Sequence, residues 1–371
     1  MATRVDLLQT YQQSTANQYS IAPGIHMIHA QTNLVQQLLP KVQEAAIKVE
    51  WIEDEVPKLF SALAATIDST DQTSIDVTAG HGTDRFADAA SVDTVIKVDS
   101  EYMLVTARTT DNLTVTRGFN STTAATHANS AKVWIVAQIN TEGADANSAV
   151  ATVRTRPYNN IQTLERSIEI TGLQEAVEHL GGISSEMNYQ IQKRMIELSD
   201  ELEMNLIRGT RRDGATTTEQ LMGGLETMIT TNATSDSGTV STDDIEADIL
   251  TIFNAGGIPR LILGSPKVTQ DISNLYKDRI RTEVIEQIGG VNITTIVNPL
   301  AQGSISIVPH VMLSGQYFML DTSKLALGYV RPFFMKDLAD DGDSDKRGIY
   351  GDYTLKIFNE NAQARRSGYT E

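Results

Sequence analysis

Residues 185–208, SEMNYQIQKRMIELSDELEMNLIR, hold neither glycine nor proline, and their reading decides the fold. Met187, Ile191, Met195, Ile196, Leu198, Leu202, Met204, Leu206 and Ile207 mostly follow i, i+3, i+4 and i+7 steps, the spacing of a helix with one apolar stripe. Ser184 or Ser185 can cap the start, Gly181 and Gly182 precede it, and Gly209 stands where a left-handed C-terminal cap is expected. At 1.5 Å per residue such a helix is about 36 Å long. That length suits a beam carrying other parts. No catalytic signature lies beside it, which points to architecture rather than chemistry.

Beyond the helix, residues 210–218 are a polar loop and residues 231–241 a linker. Ser241 or Thr242 caps a second helix, with Asp243, Asp244 and Glu246 in a first turn whose dipole favours acids. It stops at Gly256 and Gly257. A short strand over 260–263 follows, then a third helix opened by Ser265 and Pro266. Residues 291–330 alternate strand runs with turns, and LALGYVRPFF with IYGDYTLKIFN predicts a closing hairpin split by an acidic loop.

Upstream of the helix, residues 66–153 are rich in Thr, Ala, Asp and Val. Strands are predicted over 94–98, 102–107, 113–117 and 133–137, with a tight turn at Asp111 and Asn112, giving a β-rich insertion of roughly four strands. Residues 161–171 predict a further strand. Residues 1–49 are rich in Gln, Ser and Thr, carry few aromatics, and show one helical patch that Pro40 interrupts. Such an arm is expected to order only by packing on something else, such as a neighbouring subunit.

With 371 residues and 40% hydrophobic side chains, the chain can hold two or three domains with real cores. It has no cysteine, which excludes disulfides, thiolate nucleophiles and Cys-based zinc sites. No apolar run is long enough to span a membrane and no signal segment opens the chain, so a soluble protein made in the cytoplasm is expected. A net charge of -17 argues against direct nucleic-acid binding. It fits simple solubility, and equally a wall that encloses nucleic acid without adhering to it.

The chemical search returns little. Phosphate-loop, dinucleotide, HExxH and GxSxG motifs are absent. His26 and His29 lie one helical turn apart without a carboxylate run nearby; His81 sits in a turn, and His127, His179 and His310 are isolated. Asp341, Asp343 and Asp345 share the spacing of the first calcium ligands of an EF-hand. Lys346 replaces the required glycine and Asp352 the final glutamate, so the stretch reads as a solvated acidic loop and only a weak metal candidate. Glu53, Asp54 and Glu55 read as solvated or subunit-facing, Met187, Met195 and Met204 as packing, and Arg208, Arg211 and Arg212 as cations at a helix C-terminus. No cofactor is expected.

The order of parts (arm, β-containing excursion, one long helix, α/β unit, closing hairpin) resembles the major capsid proteins of tailed bacteriophages with the Hong Kong 97-type fold. Finer matches are similar to the SU-ten-like major head proteins. These are Val49-Glu50-Trp51-Ile52-Glu53-Asp54, LTVTRG at 113–118 with the stretch to His127, NNIQTLERSIEITG at 159–172, the helix–strand–helix of 243–276, and residues 338–364. The resemblance implies an α+β class and five regions: an N-terminal arm over 1–49, an E-loop region over 50–172 with its insertion at about 75–140, a P-domain over 173–225 containing the spine helix 185–208, an A-domain over 226–324, and C-terminal strands over 325–371 returning to the P-domain. It implies copies meeting as pentamers and hexamers in an icosahedral shell around double-stranded DNA, located in the virion capsid after assembly in the host cytoplasm. Candidate inter-subunit contacts are Trp51, Glu53, Asp54, Arg117, Arg156 and Arg166. The chain starts at Met1, which is taken to mean a separate scaffolding protein; a portal protein and a decoration protein are further expected partners. Crosslinking is not expected, and neither is a membrane. The competing readings are a phage decoration or tail protein and, more remotely, a metal-dependent hydrolase.

Overall fold

The computed structural model describes residues 33–86, 93–140, 142–143, 153–177, 185–276, 280–281, 287–288, 291–292, 294–301, 303–339 and 342–370. His26, His29, His179, Asp341 and the first 32 residues of the expected arm lie outside the described residues. The chain divides into two compact units, Ile52–Arg156 and the remainder.

In the larger unit the long helix runs Glu186–Arg208, and the Ser185 hydroxyl accepts the Asn188 N–H at its start. Met187, Leu198, Leu202, Leu206 and Ile207 are buried along its stripe, whereas Met204 turns outward. Its end differs from expectation. Gly209 is extended, with φ -53 and ψ 141, and is not a left-handed cap. Glycine is needed there for space: a Cβ would stand 2.4 Å from the Asn205 carbonyl oxygen and 2.7 Å from that of Met222.

The helix shares a core with a four-stranded sheet ordered Lys41–Gln43, Leu325–Asp337, Ser344–Ile357 and Gln162–Thr171. The closing hairpin forms its centre, and the strand expected at 161–171 pairs antiparallel along it. Leu164, Ile168 and Ile170 alternate into this core, as period-two strands must. Residues 33–49 do not behave as a loose arm. Leu34 and Val35, on the short helix Leu34–Leu38, are buried in the same core, and Lys41–Gln43 pairs parallel to Leu325–Asp337.

A seven-stranded sheet is ordered Ala233–Gly238, Ala364–Tyr369, Gln316–Leu320, Leu261–Gly264, Gly303–Pro309, Thr294–Asn298 and Ile280–Arg281. Its inner strands LILG and QYFML are buried on both faces, which explains their unbroken apolar runs. Leu261, Leu263, Phe318 and Leu320 join the long-helix core; Ile262, Tyr317 and Met319 join a second core with the helices Thr242–Asn254 and Pro266–Leu275. Two expectations fail here. Part of the 231–241 linker is an edge strand, and Ala364–Tyr369 enters this sheet instead of following the hairpin into the four-stranded one. Both strands are short and polar, without the alternation that marks a half-buried strand.

The smaller unit is one antiparallel sheet of six strands: Phe60–Ala62, Lys132–Gln138, Thr94–Val98, Glu101–Thr109, Asn112–Thr116 and Ser74–Asp76. Four were expected. The other two are only three residues long, too short for a sequence pattern to show. Ile96, Met103, Leu113 and Val133 fill a core of its own.

Candidate assembly surfaces

The smaller unit begins and ends in two irregular arms. Glu53 and Thr155 exchange backbone hydrogen bonds of 3.0 and 2.9 Å, and Asp54 meets Arg154 at 3.2 Å on the surface. Pro57 has no N–H to give to a ladder, so the first arm cannot extend as a strand. Its apolar side chains are consequently left uncovered. Val56 is 86% exposed and Val153 91%, with Ile52 and Leu59 also largely open.

The six-stranded sheet carries exposed apolar groups as well. Cross-strand pairing sets Phe60 beside Trp134, Trp134 beside Lys97, and Lys97 beside Tyr102. Phe60 and Trp134 rings lie 5.3 Å apart, and Lys132 sits 5.5 Å from both. Trp134 remains 44% exposed and Val136 and Ile139 are open. A row of uncovered aromatic and aliphatic groups rimmed by cations has the make-up of a protein-contact surface.

Two sequence candidates for such contacts are used inside their own chain. Trp51 is 7% exposed and meets Phe358 edge-on at 5.9 Å. Arg117 forms a buried pair with Glu101, donating from Nε and Nη2 at 2.8 Å each. Both are largely buried within their own chain. Glu53 and Asp54 lie on the first arm, and Arg166 pairs with Glu201 at 2.6 Å while keeping an open edge. Arg156 stands on the second arm of the same unit.

The described part of the acidic loop is tied into the surrounding chain. The Asp343 carbonyl accepts the Gly172 N–H at 3.0 Å, and Asp345 meets Arg347 at 3.4 Å on the hairpin strand. Among the described residues, no group of three His, Asp or Glu is placed to hold a metal. No described helix is long and apolar enough to cross a membrane.

Two charged nodes fix the sheets. Glu101 accepts from Arg117, from the Gly118 and Ala125 N–H groups at 3.0 and 2.9 Å, and faces His127 Nε2 at 3.0 Å. Burial alone would push its carboxyl up, but Arg117, these N–H groups and His127 outweigh it and hold it at about 2. In the larger unit Arg366 reaches three carboxylates: Asp248 at 2.9 Å, Asp236 at 2.6 Å and Asp244 at 3.0 Å. The Tyr317 hydroxyl donates to Asp248 at 2.7 Å. Burial raises Asp248 against the pull of Tyr317 and Arg366. Asp244, despite partial burial, is lowered by Ser241, Arg366 and Tyr369.

The histidines His127 and His310 are isolated in sequence; His127 belongs to the Glu101 node, and His310 Nε2 meets Glu203 at 3.0 Å in a third, wholly buried one. Only tertiary pairing brings their partners within reach. One signal was present for the third node: Glu203 interrupts the apolar stripe between Leu202 and Leu206 and is wholly buried.

A family model described as SU10 major capsid protein matches residues 8–370. No curated protein matches the chain. Among solved structures, that of Mycobacterium phage Bobi is similar with a TM-score of 0.52 at 11% identity, covering 98% of this chain and 99% of that one. The capsid of a native GTA particle gives 0.51 at 6% identity, covering 98% and 100%. The capsid of Myoviridae phage XM1 gives 0.50 at 8%, again covering 98% and 100%. At such identities the likeness speaks for the fold, which is of the Hong Kong 97 type.

Proposed function

Because the chain belongs to the SU10 major capsid protein family, we propose a specific mode of shell building for it. Membership makes it a major capsid protein with a structural role, forming the phage shell. The proposal concerns how. Copies meet head-to-tail in pentamers and hexamers, since a heterologous interface closes into rings when its rotation allows. The rings tile an icosahedral shell around double-stranded DNA, assembled in the host cytoplasm with separate scaffolding and portal proteins, and the chain performs no catalysis.

One observation carries this reading: the family match runs over residues 8–370, almost the whole chain. The uncovered arms and outer face of the smaller unit support it, with Glu53, Asp54 and Arg156 as rim contacts around an apolar centre and Arg166 as a separate contact on the larger unit. The 173–225, 226–324 and 325–371 divisions serve as P-domain, A-domain and returning strands, the last amended by the final strand's place in the seven-stranded sheet. The charge of -17 keeps the wall from trapping DNA.

Electron microscopy of the purified protein, alone and coexpressed with its neighbouring genes, tests the reading. Closed shells or flat hexamer sheets are expected. A uniform monomer or one small ring under every condition would overturn it in favour of a decoration or tail role.

A further inference from the structure

The short helix Leu34–Leu38 lacks the cap its own sequence offers. Asn33 occupies the N-cap position, yet its side chain makes no capping hydrogen bond. The exposed donors of the first turn are met from 168 residues away. Val35 N–H donates to Glu203 Oε1 at 2.6 Å and Gln36 N–H to Glu203 Oε2 at 3.1 Å. These are the second and third helical positions, the two an N-cap side chain normally serves. The same carboxylate receives a third donor, His310 Nε2, at 3.0 Å. His310 Nδ1 accepts the Met312 N–H at 3.2 Å, so the ring proton sits on Nε2 and points at Glu203. Glu203 and His310 side chains are both completely buried.

Three elements therefore meet on one carboxylate. Glu203 belongs to the long helix. Val35 and Gln36 lie in the first turn of the short helix Leu34–Leu38. His310 follows the strand Gly303–Pro309, and its own N–H donates to the Gly264 carbonyl at 2.8 Å, tying it to the centre of the seven-stranded sheet. A second tie lies alongside: Gln36 Nε2 donates to the Ser199 carbonyl at 2.5 Å, and the Ser199 hydroxyl donates back to Gln36 Oε1 at 3.2 Å. A carboxylate sealed from water needs its acceptors filled, and each of these donors needs an acceptor.

We infer that Glu203 is a positioning residue that fixes the seat of the short helix Leu34–Leu38 on the long helix, and that His310 holds Glu203 in the orientation for that task. The seat of the short helix is thus set by docking of the long helix against the seven-stranded sheet. A subunit in which long helix and sheet are mutually displaced loses the Glu203–His310 contact and with it the fixed seat. The inference stands on this node alone and does not require the shell reading; where shells form, it makes the place of the short helix dependent on the state of the subunit interior.

Hydrogen exchange on the full-length chain, resolved at the Val35 and Gln36 amides, tests it. Glu203→Gln keeps the volume but turns an NH2 toward one of the three donors. Exchange at Val35 and Gln36 is expected to rise roughly ten- to hundredfold, the size of a lost hydrogen bond to a charged group. The helix Thr242–Asn254 should keep its protection. His310→Leu, which touches neither amide, should produce a rise at the same two positions, and His310→Gln, which returns an N–H donor, should restore most of the protection. A change at Val35 and Gln36 below about twofold in Glu203→Gln would overturn the inference. So would loss of protection spread equally over Thr242–Asn254, which would make Glu203 an ordinary core residue. Should His310→Leu fail to fold, Glu203→Gln decides by itself. Exchange is read on the chain whether or not it assembles, so this result and that of the microscopy can fail separately.

Discussion

Glu101 in the six-stranded sheet and Arg366 in the seven-stranded sheet are both nearly sealed from water, but the roles around them are reversed. Glu101 is one carboxylate surrounded by donors: a guanidinium, two backbone N–H groups and an imidazole. Arg366 is one cation surrounded by the carboxylates Asp236, Asp244 and Asp248. The first node is local, since every partner lies within the Glu101–His127 stretch. The second joins four elements from three distant stretches of sequence: the neighbouring edge strand Ala233–Gly238 and helix Thr242–Asn254, the strand Gln316–Leu320, and the strand Ala364–Tyr369. A surplus of donors on one acid produces a node that stays ionised well into acid and depends on staying so. A surplus of acids on one cation produces a node whose members disagree about protons.

The largest expected effect comes from removing the cation. Arg366→Leu would strand three carboxylates in or near the core, and breaking a buried pair from one side costs about 3–5 kcal/mol. Chemical denaturation should show that loss, and hydrogen exchange should place it in the seven-stranded sheet, leaving the Thr94–Val98 and Lys132–Gln138 strands protected. Loosening of both sheets together would break the idea of two independently fixed units.

Acid sharpens the contrast at a smaller scale. The Glu101 carboxyl lies at about 2 in the folded chain against an ordinary 4.5. A depressed acid contributes stability that is complete above the unfolded value and fades as pH falls from 4.5 toward 2. Asp248 has the opposite sign. Its folded value is raised above 3.8, so its ionised form costs stability, and acidification relieves that cost. Asp244, lowered from 3.8, offsets it in the same node. Exchange measured down this range should therefore show steady loss in the six-stranded sheet and a shallower change in the seven-stranded one. Glu101→Gln should remove the slope from the first while lowering its stability by about 3 kcal/mol. A slope that survives the substitution would assign it to other groups.

How far each region could be read in advance follows the same division between local and distant partners. The strand Thr94–Val98 and the helix Glu186–Arg208 carry their periodicity in their own residues and were predicted to within a residue. The helix Thr242–Asn254 was marked by Ser241 or Thr242 as cap and by the acids of its first turn, and the structure closes a capping box of Ser241 and Asp244 there. The strands Ala233–Gly238 and Ala364–Tyr369 were not legible as a pair. Their ladder and Arg366 hold them, and each segment alone looks like a linker or a tail. Trp51 and Arg117 have uses within their own chain that residue type alone does not show. Residue type marks a side chain as valuable in an interface, but the same aromatic and guanidinium chemistry serves a chain's own core, and only burial tells the two uses apart.

The remaining contrast is between what is sealed and what is left open. Val56 and Val153 make few contacts within their own unit, since 86% and 91% of their surfaces face outward. Replacing either with Ser should change subunit stability by no more than about 0.5 kcal/mol, the usual range for an exposed position. In an assembled shell each would lose a buried apolar group, worth about 1.5–3 kcal/mol when a valine side chain is fully covered, and every copy would lose it. Light scattering should then show the Val56→Ser, Val153→Ser double variant assembling at a higher threshold concentration, with its denaturation curve unmoved. An unmoved curve with unmoved assembly would place the contact surface elsewhere, with the Phe60–Trp134 row as the next to substitute. A shifted curve would mean that these valines, despite their exposure, belong to the subunit's own packing.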